Sequence, residues 1–280
     1  MNVDIRNSAA NEMPFVIQFA SMDDRTMGLN DADVFYRFDP HGFFIAVDGD
    51  TIAGTISAVT YDDSFGFIGL HLVMPKYLNS IMEDKLLETA IQKLGDRTIG
   101  INCPEARTQY YARYGFKASH KIITYEGTAA DINCSMENIV SPFMHPFDML
   151  LEFNKKYFPY ETKGLMQAWM PQAGSMLLAK KIDKEYKGCG LFLPCTNGYK
   201  IAPLVCADSG TAEELFTALV YHMNGGLRFT VDLPESNKDA VALAEKMKLK
   251  KIKENVRMYN KVEPEISIRN IFSYTNNELG

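Results

Sequence analysis

The chain has 280 residues, of which 46% are hydrophobic, and it carries a formal net charge of −6. This length suits two domains of ordinary size, and the acidic balance argues against a nucleic-acid-binding protein, which needs a basic surface. No apolar run reaches the roughly 20 residues that span a bilayer, and the N-terminal residues lack the pattern of a secretion signal. The five cysteines include no C-x-x-C pair. We therefore expect a cytoplasmic protein with reduced thiols, no metal site and no membrane partner.

Helix and strand patterns alternate along the first half. A helix precedes a hairpin with its turn at Asp48-Gly49-Asp50, and the apolar strand that follows is predicted to be central in a sheet. An amphipathic helix, a short strand, a helix ended by Gly115 and a last strand complete this half. The predicted helices are residues 24–38, 81–94 and 105–114, and the predicted strands are residues 42–47, 51–61, 66–74, 98–102 and 116–126.

The second half repeats that order of elements without repeating the sequence. Its predicted helices are residues 143–156, 161–170, 211–223 and 238–247, and its predicted strands are residues 175–182, 186–193, 199–207, 227–232 and 250–260. A duplicated architecture is the simplest explanation. We expect an α/β (α+β) fold of two tandem domains, each a mixed central sheet flanked by helices. The predicted division is residues 1–127, a linker at 128–141 that is rich in turn formers, and residues 142–280.

A strand-to-helix motif lies at residues 102–116, NCPEARTQYYARYGF, in which Tyr111 stands four residues before Gly115-Phe116. This motif resembles a signature of the GNAT superfamily, the acyl-CoA-dependent N-acetyltransferases, whose core has the same order of elements. The whole chain resembles a two-domain branch in which a diverged GNAT-like domain follows the first. The stretches that carry this resemblance are residues 64–77, 189–204, 233–245, 257–259 and 278–280.

The resemblance implies that acetyl-CoA lies between two diverging strands, with its pyrophosphate on a loop of pattern R/Q-x-x-G-x-G/A. The cofactor-binding residues that it implies are Leu72, Val73, Met74, Asn79, Ser80 and Asn102. Leu78, Ile81 and Glu83 replace the three defining residues of the loop, so we expect weak binding of acetyl-CoA. Ser80 and Glu83 also have the spacing of a capping box, and the sequence leaves open whether they are structural or line the cofactor entrance.

Two residues are candidates for catalysis, the first through the resemblance and the second through its place in the central strand. Tyr111 would protonate the departing thiolate, and His71, in the central strand, could act as a base; a core aromatic and a buried histidine are the alternatives. Phe67 stands where many GNAT enzymes have a glutamate that collects the amine proton, so the strand offers no carboxylate base. Cys103 could be a thiol nucleophile, although an inert buried thiol is commoner.

The expected substrate cleft includes Phe67, Cys195, Tyr199 and Lys200, unless the last three are packing residues of a strand. Two function classes follow. The first is an acetyl-CoA-dependent N-acetyltransferase acting on a small amine or amino-acid-like molecule. The second is a non-catalytic GNAT-like protein whose cleft binds a metabolite or a partner. A cofactor site in the second half is disfavoured, because residues 208–211 offer one glycine and no basic residue. The oligomeric state is left open.

Overall fold

The structure, a computed structural model, describes residues 3–23, 25–130, 132–142, 147–223 and 225–280. The thirteen strands of these residues join in one mixed sheet. The first residue of the predicted helix 24–38, residues 143–146 of the predicted helix 143–156, and residue 131 of the predicted linker lie outside the described residues. Among the described residues, no helix has the length and apolar character needed to cross a membrane.

The first half forms six strands and four α-helices among the described residues. The strands are β1 (Val3–Asn7), β2 (Phe43–Asp48), β3 (Thr51–Thr60), β4 (Phe65–Val73), β5 (Thr98–Cys103) and β6 (Lys117–Thr128). The helices are α1 (Met13–Met22), α2 (Asp31–Phe38), α3 (Ile81–Leu94) and α4 (Thr108–Ala112). The bounds predicted for α3 are confirmed. The predicted helix 105–114 is instead a 3-10 turn followed by the short α4, and β1 and α1 were not predicted.

The second half forms seven strands and four α-helices among the described residues. The strands are β7 (Ile139–Val140), β8 (Met176–Ile182), β9 (Glu185–Cys195), β10 (Gly198–Cys206), β11 (Arg228–Pro234), β12 (Lys250–Tyr259) and β13 (Ile271–Ser273). The helices are α5 (Phe147–Lys155), α6 (Lys163–Trp169), α7 (Ser209–Tyr221) and α8 (Lys238–Lys246). The predicted order is confirmed, apart from β7 and β13, which the sequence did not predict.

The two halves exchange strands β6 and β12. The strand order is β1-β2-β3-β4-β5-β12-β6-β11-β10-β9-β8-β7, with β13 paired to β10. Strand β12 of the second half therefore lies between β5 and β6 of the first, and β6 pairs on its other side with β11. The apolar cores follow this exchange, because Ile123 and Tyr125 pack with second-half residues and Val256 and Met258 pack with first-half residues. Residues 128–141 thus separate the halves along the chain but not in the sheet, and the division at 127 and 142 stays a prediction.

Each half contains two parallel strands that pair at one end and then diverge. In the first half, β4 pairs with β5 only over residues 65–68 and 98–101. In the second half, β10 pairs with β11 only over residues 199–201 and 229–231. The gap between β10 and β11 is filled by β13, where the Ser273 hydroxyl donates to the Ile201 carbonyl at 2.7 Å. The corresponding gap between β4 and β5 holds a cavity.

Candidate active site

The cavity between β4 and β5 has a volume of about 380 Å³. One wall is β4 from Gly69 to Val73, and the opposite wall is the end of β5 with Tyr111 of α4. Of the predicted site residues, those that line it are His71, Leu72, Val73, Asn102 and Tyr111. Met74, Asn79 and Ser80, which were predicted to bind the cofactor, are not among its lining residues.

A β-bulge shapes the wall of this cavity. The register of β4 against β3 shifts between Gly69 and Leu72, and Leu70 adopts a left-handed conformation with φ +47°. A non-glycine residue in this conformation is strained by about 1–3 kcal/mol unless its surroundings hold it there. The surroundings do so, because the Thr55 hydroxyl donates to the Leu70 carbonyl at 2.8 Å and Gly69 N–H donates to the Ser57 hydroxyl at 3.0 Å.

His71 and Tyr111, predicted separately, form a hydrogen-bonded pair. His71 Nδ1 lies 3.0 Å from the Tyr111 hydroxyl, and Nε2 lies 3.3 Å from the Glu83 carbonyl. A carbonyl only accepts, so Nε2 carries the proton and Nδ1 accepts from Tyr111. Burial, reinforced by the positive charge of Arg107, lowers the pKa of His71 to about 3, and burial raises the pKa of Tyr111 above its ordinary value. At neutral pH the pair is therefore a neutral imidazole that orients a protonated phenol.

The loop before α3 carries an internal carboxylate. Glu83 is only 3% exposed; its Oε2 accepts from Asn79 N–H at 2.7 Å and its Oε1 binds the Arg107 guanidinium. The predicted capping box is wrong, because the Ser80 side chain makes no capping bond and its hydroxyl is buried with no partner among the described residues. Glu83 reaches past Ser80 to Asn79, since Arg107, far along the chain, holds the carboxylate there. This carboxylate accepts the hydrogen bond of the Asn79 amide, which a bound pyrophosphate would need.

The last residues of the chain deliver a second carboxylate to the bulge. Glu278 is 5% exposed, and its Oε2 accepts from Leu70 N–H at 2.9 Å and pairs with the Arg25 guanidinium. The sequence pattern gave no site role to either Glu278 or Arg25. The only signal was the resemblance carried by residues 278–280.

Comparisons with known proteins agree with this geometry. Residues 150–273 match the model of the acetyltransferase (GNAT) domain. The fold resembles that of a candidate acetyltransferase from Pyrococcus horikoshii, with a TM-score of 0.85 at 20% identity over 100% of this chain and 96% of that one. It also resembles a tandem GNAT protein from the clavulanic acid biosynthesis pathway, with a TM-score of 0.65 at 11% identity over 94% of this chain and 100% of that one. The fold of the chain is therefore that of a tandem GNAT protein. Holothin acyltransferase from Pseudoalteromonas sp. (strain SANK 73390) is 22% identical over 276 residues, 98% of this chain and 93% of that protein.

The second GNAT cleft is closed by the chain itself. Strand β13 occupies the gap between β10 and β11, and Tyr274 N–H donates to the Asp232 carbonyl at 2.7 Å. The start of α7, which corresponds to the pyrophosphate loop, is capped by Asp208, whose carboxylate accepts from Thr211 N–H at 2.8 Å. In this half, the chain itself therefore fills the gap between the diverging strands and caps the helix start that would otherwise bind a pyrophosphate.

A second, polar cavity of about 70 Å³ lies where the two halves of the chain meet. Asp23, Arg25 and Asn102 line both this cavity and the larger one, so the two are adjacent. Its second-half wall includes Lys200 and Asp232, whose side chains are 4% and 2% exposed and form an ion pair at 2.7 Å. Of the four residues predicted for the substrate cleft, Lys200 lines this cavity.

The other three predicted cleft residues line neither cavity. Phe67 is fully buried, with the Arg257 guanidinium 4.7 Å from its ring centre. Tyr199 packs on Phe192 with ring centres 5.1 Å apart. Burial raises the pKa of the Cys195 thiol to about 12. For Cys195 and Tyr199 the packing interpretation agrees with the structure.

Cys103 lines the larger cavity as a protonated thiol. Burial raises its pKa to about 12, which outweighs the opposing effect of the nearby Arg107 charge. A thiolate is the nucleophilic form of cysteine. The structure therefore argues against a covalent mechanism through Cys103.

Asp31, at the start of α2, supplies a test of buried charge in this GNAT fold. Its Oδ2 accepts from Gly28 N–H at 2.8 Å, its Oδ1 has no partner among the described residues, and burial raises its pKa to about 7 from an ordinary 3.8. The folded state thus binds the extra proton between those values, so the contribution of Asp31 to the free energy of unfolding falls as pH rises from about 4 to 7. We expect Asp31→Asn to raise the Tm, relative to wild type, more at pH 8 than at pH 5.

The comparison of the two pH values is the readout, because any packing change caused by the amide is independent of pH. Asp33→Asn, on the same helix with a side chain 78% exposed, is the matched control and should show no such difference. Equal effects of Asp31→Asn at both pH values, measured by thermal unfolding, would contradict the raised pKa.

Proposed function

We propose that this protein is an N-acyltransferase that binds acetyl-CoA in the first-half cleft and transfers the acetyl group to a small amine or amino-acid-like acceptor. The observation that carries this proposal is the open cavity between β4 and β5 with the Tyr111 hydroxyl in its wall. The acyltransferase name of the relative from Pseudoalteromonas supports the reaction class. The cytoplasmic location and the absence of a nucleic-acid partner stay predictions of the sequence.

The residues of the cleft fit one part of an acyl-CoA and not the other. The gap between the diverging strands offers a groove lined by Leu72 and Val73 on one side and Asn102 on the other, which suits the extended pantetheine arm. The loop before α3 does not suit the pyrophosphate, because Glu83 brings a carboxylate to the amide of Asn79. We therefore propose weak binding of acetyl-CoA, dominated by the arm.

When bound, the donor supplies an activated acyl group at its thioester. Tyr111 holds a proton at its hydroxyl throughout the neutral range, and His71 Nδ1 accepts from that hydroxyl and fixes its direction. As negative charge develops on the leaving sulfur, the Tyr111 hydroxyl would turn its proton from Nδ1 to that sulfur, which is general-acid catalysis. His71 is neutral, so in this proposal it orients Tyr111 and does not carry charge.

We expect isothermal titration to give one acetyl-CoA per chain, because β13 fills the second cleft. Tyr111→Phe should lower kcat by about a hundredfold or more, in the range of general-acid effects, while changing the Kd for acetyl-CoA little. Tyr110→Phe is the matched control, since Tyr110 is a buried neighbour that does not line the cavity. Unchanged turnover in Tyr111→Phe would remove Tyr111 from the mechanism, and two acetyl-CoA sites per chain would contradict the closed second cleft.

The second candidate is a non-catalytic binding protein, and the internal carboxylate of Glu83 favours it. Absence of acetyl-CoA binding to the wild-type protein, together with binding of another metabolite in the same cleft, would support this alternative.

A further inference from the structure

A GNAT reaction at this site needs a group that takes the proton of the acceptor amine, and β4 does not provide one. Phe67, at the position where a glutamate is common, is fully buried beneath Arg257. Both ring nitrogens of His71 are engaged, by Tyr111 and by the Glu83 carbonyl, whereas the hydrogen bonds that the Glu278 side chain accepts from Leu70 and Arg25 both fall on one of its two oxygens, Oε2. We propose that Glu278, carried to the bulge by the C-terminal residues, is the proton acceptor. This inference rests on the proposed function.

Glu278 lies at the partition between the two cavities. Its Oε2 is 2.9 Å from the nitrogen of Leu70, which lines the larger cavity, where acetyl-CoA is proposed to bind. Glu278 itself lines the smaller polar cavity, together with Lys200 and Asp232. An amine in the smaller cavity would therefore meet this carboxylate on its way to a thioester held beside Leu70.

The backbone around Glu278 is fixed from several sides. The Ser57 hydroxyl donates to the Glu278 carbonyl at 3.4 Å, and Glu278 N–H donates to Asn276 Oδ1 at 2.6 Å. Gly69 allows this approach, since a Cβ at Gly69 would lie 2.0 Å from the Glu278 carbonyl oxygen. A carboxylate held this firmly meets the geometric demand on a proton acceptor, which must stay within hydrogen-bond reach of one atom.

Asn277, the residue that precedes Glu278, is fixed as well. Asn102 Nδ2 donates to the Asn277 carbonyl at 3.0 Å, and Asn102 Oδ1 accepts from Arg257 Nε at 2.6 Å. Arg257 is fully buried between the rings of Phe67 and Tyr274, at 4.7 and 4.8 Å from their centres. This chain of contacts ties the last residues to β5 and β12, so the position of Glu278 depends on both halves.

The protons of the step balance with Glu278, Tyr111 and solvent. The acceptor ammonium gives one proton to Glu278, which passes it to solvent, and the neutral amine forms the C–N bond as the C–S bond breaks. The leaving sulfur takes the Tyr111 proton, and the second nitrogen proton restores Tyr111. Amine and thioester become amide and thiol, with one proton released.

The test compares two probe amines with acetyl-CoA at pH 7.5. Methylamine is an ammonium ion at this pH and needs a proton acceptor, whereas hydroxylamine is already neutral. We expect Glu278→Gln to lower kcat with methylamine about a hundredfold and with hydroxylamine less than tenfold. Glu278→Ala should behave likewise, and added formate should restore part of its turnover with methylamine, because a free carboxylate can enter the space that the side chain leaves.

Equal losses with both amines and no formate rescue, in variants that keep the wild-type Tm and acetyl-CoA affinity, would overturn the role of Glu278 alone. Unchanged turnover in Glu278→Gln would overturn it as well. A wild-type protein that neither binds acetyl-CoA nor acetylates either amine would instead overturn the proposed function, and this inference with it. If Glu278→Gln unfolds, the amine selectivity and formate rescue of Glu278→Ala decide the question.

Discussion

Neither half of the chain is expected to fold alone. Residues 1–131 and residues 132–280, produced separately, should each lack a cooperative unfolding transition, and produced together they should form one folded complex. The reason is the strand exchange: β6 is flanked by β12 and β11, both from the second half, and β12 is flanked by β5 and β6, both from the first. Each piece would therefore hold a strand with neither of its neighbours.

The size of this effect follows from the side chains involved. Six buried apolar side chains of the exchanged strands would lose most of their packing: Ile122, Ile123, Tyr125, Val256, Met258 and Tyr259. At about 1.5–3 kcal/mol each, their contribution is on the order of 10 kcal/mol, which is comparable to the whole stability of an ordinary domain. Circular dichroism and co-purification measure the outcome. A first half that unfolds cooperatively alone, or two separate transitions in the intact chain, would contradict the shared core.

Glu83→Ala is expected to bind acetyl-CoA about tenfold more tightly than wild type while unfolding at a lower temperature. The change frees the Asn79 amide and the Arg107 guanidinium, both now bound to the Glu83 carboxylate. A charge-assisted hydrogen bond to phosphate contributes about 1.5–3 kcal/mol, which exceeds the roughly 1.4 kcal/mol needed for a tenfold gain. Stability should fall by about 1–3 kcal/mol, because a buried pair loses one partner. Leu78→Arg and Ile81→Gly, added to this variant, should tighten binding further.

Glu88→Ala is the matched control for charge. It removes an exposed carboxylate from the same helix, away from the loop, and should leave the affinity unchanged. Isothermal titration and thermal unfolding together measure both effects. A wild-type protein that already binds acetyl-CoA at low micromolar affinity, with no gain in Glu83→Ala, would mean that the loop does not weaken binding.

Local sequence patterns predicted the elements of the fold but not their partners. The period of Leu86, Leu87, Ala90 and Leu94 predicts α3, because this face is buried. Helix α1 was missed because it has no clear polar face: Phe15 is 60% exposed although it lies two residues after the buried Met13. The exchange of β6 and β12 was not predictable, since both strands have similar patterns and would fit either neighbour.

The candidate site was predictable where one residue carries the signal. The resemblance to the GNAT signature implies Tyr111, which stands four residues before Gly115-Phe116, and comparison with the GNAT loop singles out Glu83 as a departure. The bond between Tyr111 and His71 depends on packing across 40 residues, and the contact of Glu278 with Leu70 spans 208 residues. No local pattern predicts contacts between residues so far apart in the chain. The residues could therefore be identified one by one, but their arrangement in the site could not be predicted.

The exchange of β6 and β12 also sets the order of events during synthesis. The ribosome completes β5 and β6 long before it makes residues 250–259, the strand that belongs between them. Until then the nascent first half presents unpaired edges of two strands, a form of surface that promotes aggregation. Its sheet closes only after residues 250–259 have left the ribosome, so the nascent first half exposes these edges until then.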